Sequence, residues 1–150
     1  MTRQTLTTLA AAGSFALLAG AYLFQAMGYP PCQMCYWQRW PHMAAIAIGL
    51  LCYIVPHRIL ALLGAAAAAT TSAIGVYHTG VEKKLWDGPS SCTGDGLGGL
   101  SGADLLSLDG DKLIMCDQVS WEFLTLSMAS WNAIFAAILC VIWLMAARKK

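Results

Sequence analysis

Four apolar stretches that approach or reach the length of a lipid-crossing helix leave this chain few ways to fold. Crossing about 30 Å of hydrocarbon takes roughly 20 apolar residues in a helix, because backbone N–H and C=O groups find no water there. Residues 6–27, 40–55, 59–77 and 126–147 are the candidate spans, the second being the shortest. The 150 residues are 58% hydrophobic and 11% charged, against roughly 25% charged in a soluble domain. The expected fold is therefore an all-α membrane protein: one integral domain built as a four-transmembrane-helix bundle, with two loops, 28–39 and 79–125, on one side.

Charge distribution orients that bundle. All eight acids lie between Glu82 and Glu122, with only Lys83, Lys84 and Lys112 among them. Arg3, Arg58 and the run Arg148-Lys149-Lys150 fall at the opposite span ends, which the positive-inside rule makes cytoplasmic. Both loops then fall on the non-cytoplasmic side. Pro56-His57-Arg58 is short enough to join the second and third spans as an antiparallel hairpin. Arg3 ahead of an apolar run containing small residues also fits a secretory signal, but the run exceeds the roughly 7–15 residues of such a segment. An uncleaved anchor is expected. No basic tract or aromatic-basic alternation points to nucleic acid.

Gly64, Ala68, Ser72 and Gly75 recur at helical spacing and predict a stripe for close helix packing. Trp37, Trp40, Trp86, Trp121 and Trp143, with Tyr29, Tyr36 and Tyr77, fall near span ends and are expected to anchor at the headgroup boundary. In the second loop, Ser101 and Asp104 are expected to cap a short helix within 97–108. Its Leu105, Leu106 and Leu108 would lie in the interface, beside a glycine-rich run over 94–102.

The cysteines carry the chemistry. Cys52 and Cys140 fall inside spans and read as small buried hydrophobes. Cys32, Cys35, Cys92 and Cys116 all fall on the non-cytoplasmic side, where thiols oxidise and disulfides persist. Three readings compete for them: static bridges, a four-thiolate zinc site, or an exchanging relay. Zinc favours two closely spaced pairs, and Cys92 and Cys116 are far apart, so no metal is expected. Bridging Cys92 to Cys116 would close a long loop, at roughly 3 kcal/mol of stabilisation. Closing the small ring of Cys32-Gln33-Met34-Cys35 stabilises little, and that motif is suited to exchange.

Pro30 and Pro31 impose an extended approach to Cys32, after which a helix can begin near Met34. Arg39 would then share a face with Cys35 and stabilise its thiolate, while Pro41 is tolerated in a first turn and disruptive deeper. His78 ends the third span at the depth of Cys35 and Arg39, where it could handle protons.

One ordered set of residues is specific. It comprises Pro31-Cys32-Gln33-Met34-Cys35-Tyr36-Trp37-Gln38-Arg39, Tyr77-His78, Cys92, Cys116-Asp117, Trp121-Glu122-Phe123-Leu124 and Ser127-Met128-Ala129-Ser130-Trp131-Asn132. Over residues 15–145 the chain resembles the DsbB family, disulfide bond formation proteins of the bacterial inner membrane. The resemblance implies a quinone-dependent thiol oxidoreductase that reoxidises a periplasmic DsbA-like dithiol oxidase and delivers electrons to the membrane quinone pool, ubiquinone or menaquinone. It further implies that Cys92 takes the partner's attack with Cys116 as its bridge partner, and that Cys116 exchanges with Cys32. Cys35 would face the quinone, with Arg39 and His78 as quinone-binding contacts. Gln38 departs from members with an acidic residue there and bears on partner choice. A tetraspan scaffold with inert disulfides is the rival outside enzymes. A vitamin K epoxide reductase relative would carry its cysteine pairs in another chain order.

Overall fold

The computed structural model describes residues 1–93 and 115–149. The expected short helix within 97–108 and the glycine-rich run over 94–102 lie outside the described residues. Four helices form the body: α1 (Arg3–Ala26), α2 (Gln33–Ile54), α3 (Arg58–Glu82) and α4 (Met128–Arg148). A two-stranded antiparallel hairpin, β1 (Glu122–Phe123) and β2 (Leu126–Ser127), precedes α4 and is an addition to the expected all-α fold. Leu124 and Thr125 turn it with φ of 51° and 64°, the left-handed pair that matches the twist of a tight hairpin.

Among the described residues, three helices, α1, α3 and α4, are long and apolar enough to cross a membrane, and the chain is an integral membrane protein. The α2 helix is polar in its first half, where Gln33, Gln38, Arg39 and His42 lie. It starts at Gln33, one residue before the helix start expected near Met34, so residues 33–39 of the expected loop 28–39 are helical. The physical reason is a cap: Cys32 is extended (φ −79°, ψ 173°), and its sulfur accepts the Cys35 backbone N–H at 3.2 Å. Pro41 consequently lies beyond the first turns, where it removes one helical hydrogen bond. At the other end of the chain, α4 begins at Met128, two residues after the expected start of its span, because Ser127 caps it by accepting the Ser130 N–H at 3.2 Å.

The stripe on α3 packs as its composition demands. A side chain at Gly64 would begin 2.5 Å from the Trp143 ring, and Ser72 Oγ donates to the Ala133 carbonyl at 2.9 Å. Trp143 is thus fully buried in the α3–α4 seam, which corrects the expectation that it anchors at the membrane boundary. Only a glycine leaves room for the ring. Cys52 is buried in the same core, among Ala61, Ala65, Ala68 and Ala146, whereas Cys140 is half-buried and packs against that core from its edge.

Arg3 gathers the basic end. Its guanidinium donates to the Pro56 carbonyl at 2.8 Å, to the Lys149 carbonyl and to the Ala146 carbonyl at 3.4 Å. The start of α1, the α2–α3 turn and the end of α4 therefore meet at one end of the bundle. The end of α1 and the starts of α2 and α4 meet the end of α3 at the other.

Candidate functional site

All four loop cysteines come together at that second end. Cys32, Cys92 and Cys116 form one buried cluster with Met34 and Val81, and Cys35 packs against it. Cys92 and Cys116 are joined by a disulfide, with 5.3 Å between their Cα atoms. Cys32 and Cys35 are in the dithiol form with their sulfurs 2.9 Å apart. The bridge segment is held to the start of α2 by Ser91 Oγ, which donates to Gln33 Oε1 at 2.6 Å. On its other side, Lys84 pairs with Asp117.

The contact between the two sulfurs drives their acidities apart. Cys35 lies below the ordinary thiol range because it accepts the Cys32 S–H, helped by the Cys32 backbone hydrogen bond and, at longer range, by the Arg39 charge. The same contact, together with burial, pushes Cys32 far up. The pair is therefore built to present Cys35, not Cys32, as a thiolate.

His78 stands beside the pair. Its Nε2 is 3.5 Å from Cys32 Sγ and 3.9 Å from Glu82 Oε1, while Nδ1 lies 2.9 Å from Gln38 Nε2. Gln38 Nε2 also donates to the Met34 carbonyl at 3.3 Å, which fixes that atom as the amide nitrogen. It follows that His78 Nδ1 accepts and Nε2 carries the proton, aimed at Cys32 and Glu82. Glu82 in turn accepts from Ser127 Oγ.

Arg39 is 6% exposed, but its guanidinium turns towards α1. Nη1 donates to Gln25 Oε1 at 2.8 Å, and the charge lies over the rings of Tyr22 and Tyr36 at 4.6 and 5.0 Å. Among the described residues it makes no hydrogen bond to a sulfur, so its effect on Cys35 is through space. Its Nε, although buried, has no partner among the described residues.

A cavity of about 410 Å³ opens between α1, α2, the end of α3, α4 and the hairpin. Cys32, Cys35, Arg39 and His78 all line it, against an apolar wall that includes Leu17, Phe24, Trp121, Phe123, Trp131 and Phe135. The wall is a continuous aromatic row, with centroid spacings of 4.9 Å (Phe24–Trp121), 6.1 Å (Trp121–Phe123), 6.4 Å (Phe123–Trp131) and 5.6 Å (Trp131–Phe135). Its volume suits a small apolar ligand.

Cys32, Cys35 and His78 also place three metal-capable atoms within 4.8 Å of one another. The bridge between Cys92 and Cys116 withholds the two further thiolates that a four-sulfur zinc site needs.

The profile of the family described as "Disulfide bond formation protein DsbB" matches residues 3–146. This chain belongs to the DsbB family. Among curated members, it is 28% identical to Disulfide bond formation protein B of Polaromonas sp., over 94% of this chain and 88% of that protein. It is 29% identical to Disulfide bond formation protein B of Marinobacter nauticus, over 85% of this chain and 82% of that protein. No solved structure matches. Family membership makes this a disulfide bond formation protein of the membrane. It accords with a site whose centre is a free thiol pair packed on a disulfide.

His42, Asn132 and Glu82 are among the cavity residues that carry no sequence signal of a role on their own. Gln38 was assigned only to partner choice, yet it is buried and holds His78. A signal for part of this was present, since Cys35, Gln38, Arg39 and His42 recur at three- and four-residue spacing on one face of α2. Nothing in the sequence pairs that face with Asn132, whose Nδ2 donates to Gln38 Oε1 at 2.8 Å across the helix interface.

Proposed function

We propose that this protein reoxidises a periplasmic DsbA-type dithiol oxidase and passes the electrons to a membrane quinone. The observation that carries the reading is the position of Cys32 and Cys35, packed against the Cys92–Cys116 bridge on one side and lining the apolar cavity on the other. The bundle then spans the bacterial inner membrane four times, with α2 as the fourth span, its basic end in the cytoplasm and its cysteine end at the periplasmic surface.

In the working cycle Cys32 and Cys35 begin as a disulfide. The partner's thiolate attacks Cys92 Sγ, forming a mixed disulfide and expelling Cys116 as a thiolate. Cys116 attacks Cys32 Sγ, and the bond to Cys35 breaks, which leaves the Cys35 thiolate at the cavity. The partner's second thiolate then attacks its own mixed disulfide and releases Cys92, which attacks Cys116 Sγ, breaks the Cys116–Cys32 bond, restores the bridge and expels Cys32 as a thiolate. The net change is two electrons and two protons delivered to the Cys32–Cys35 pair. His78 Nε2–H, facing Cys32 and Glu82, is suited to holding a proton there.

The residues present fit a quinone. The cavity is apolar and aromatic, and the buried Arg39 Nε–H is a donor without a partner among the described residues, suited to a ring oxygen. Arg39, His78 and the aromatic row would hold the ring, of ubiquinone or menaquinone, beside Cys35. When bound, a quinone supplies a two-electron, two-proton acceptor. A strong acceptor is needed, because a DsbA-type couple lies at about −120 mV.

The decisive experiment adds to the disulfide-oxidised protein a reduced DsbA-type partner whose second active-site cysteine is replaced by Ser, so that its remaining thiolate can attack the Cys92–Cys116 bridge but cannot resolve the product. A mixed disulfide should accumulate and vanish when Cys92 is replaced. An inert scaffold would form none.

A further inference from the structure

We propose that His42 is a positioning residue that accepts a hydrogen bond from a ring hydroxyl in the cavity, so that the site distinguishes a hydroquinone from its oxidised form. This rests on the reading of the cavity as a quinone site and adds a residue to it. His42 is 3% exposed and lines the cavity, one helical turn along α2 from Arg39. Its Nδ1 is buried and has no partner among the described residues.

The protonation of that ring follows from a chain of bonds whose direction is fixed at one end. Gln38 Nε2 donates to the Met34 carbonyl, so Gln38 Oε1 is the acceptor of the pair. The atom 2.8 Å from Oε1 must then be the amide nitrogen of Asn132, which also donates to Thr71 Oγ1 at 3.2 Å. Thr71 is free to accept because its own hydroxyl hydrogen goes to the Gln38 backbone carbonyl at 2.9 Å. Asn132 Oδ1 is therefore an acceptor, and the atom 2.9 Å away, His42 Nε2, must donate. The proton being on Nε2, Nδ1 presents a lone pair.

Two cavity-lining residues of one helix face thus carry unlike buried groups without partners among the described residues, a donor at Arg39 Nε and an acceptor at His42 Nδ1, within reach of a ligand that repacks the wall. A quinone has only acceptor oxygens and leaves His42 unsatisfied. A hydroquinone brings hydroxyl donors and satisfies it. Leaving a buried polar atom unpaired disfavours a ligand more than a matching bond favours it, so the reduced ring should gain about tenfold in affinity over an analogue that cannot donate.

The test is binding, read by quenching of tryptophan fluorescence, since Trp121 and Trp131 form the cavity wall. A short-tailed benzohydroquinone, its dimethyl ether and the matching benzoquinone are titrated anaerobically into the disulfide-oxidised protein without a dithiol partner. The wild type should bind the hydroquinone about tenfold more tightly than the ether. His42→Leu should bring that ratio within twofold, chiefly by tightening the ether, and should tighten benzoquinone or leave it unchanged, not weaken it. His42→Gln, which keeps a donor for Asn132 and an acceptor for the cavity, should restore most of the ratio. An unchanged ratio in His42→Leu overturns the proposal, as does an equal loss of all three ligands, which would make His42 merely structural. If the wild type binds none of the three rings, the quinone-site reading itself fails and the role of His42 falls with it.

Discussion

The two ends of the bundle solve opposite problems with the same four helices. At the basic end, Gly64 admits the Trp143 ring, and Ala61, Ala65, Ala68, Ala146 and Ala147 bring backbones close. Lipid offers no hydrophobic gain for burying such surfaces, so close packing has to supply the stability through dispersion. At the cysteine end the helices instead enclose a cavity, and the buried polar groups are almost all paired: Gln38 with His78, Asn132 with His42, Glu82 with Ser127. Arg39 Nε and His42 Nδ1 are the exceptions that belong to cavity-lining residues. The contrast separates what keeps the protein folded from what lets it react.

If that division holds, substitutions at the two ends should fail in different ways. The largest effect is expected from Cys35→Ser, which should cut quinone-linked dithiol oxidation by at least about a thousandfold with circular dichroism unchanged. At the other end, Gly64→Leu should destabilise the fold by about 1–3 kcal/mol through overpacking against Trp143. Denaturation in detergent should register that loss, while turnover per folded molecule stays near wild type. A proportionate loss of turnover would erase the contrast.

Arg39→Gln should raise the apparent quinone KM about tenfold and change kcat less, by removing a buried charged donor. Steady-state kinetics over a quinone series would test it. Cys32→Ala should move the pH profile of Cys35 alkylation upwards. In the reduced wild type the thiolate is favoured by the Cys32 S–H, so the rate should rise with pH and level off below the ordinary thiol value of about 8.5. Without that donor the plateau should arrive at higher pH, and alkylation at pH 7 should slow severalfold. The smallest effect is expected from Lys84→Ala. Its side chain is 70% exposed, and breaking the pair with Asp117 should cost no more than about 0.5 kcal/mol in a thermal melt.

Much of the architecture was legible because lipid is a simple solvent. Apolar run length and the Pro56-His57-Arg58 break account for α1, α3 and α4, and helical spacing of small residues locates the α3–α4 seam. Hydropathy starts the second span at Trp40 because Gln38 and Arg39 are polar, whereas the Pro30-Pro31 approach predicts a helix from about Met34, close to the observed start at Gln33. The structure makes Gln38, Arg39 and His42 helical, through the Cys32 cap, and pairs Gln38 and His42 with side chains from α3 and α4. Trp143 was misplaced because position along a span does not say which face a ring takes. Cys32, Cys35, Arg39 and His78 line one cavity, while the role of each rests on spacing and resemblance. Arg39 was expected beside the Cys35 sulfur, yet its hydrogen bonds go to α1, a tertiary choice that helix periodicity cannot encode.

The central claim is that electrons cross between the two cysteine pairs by exchange at one end of the bundle. It is tested most directly by quenching turnover with a thiol alkylator and mapping the disulfide-linked peptides over time after adding reduced partner. The account predicts a transient Cys32–Cys116 linkage that appears as the Cys92–Cys116 bridge disappears and decays when the bridge returns. A Cys92–Cys116 bridge that stays intact while the partner is oxidised would contradict it.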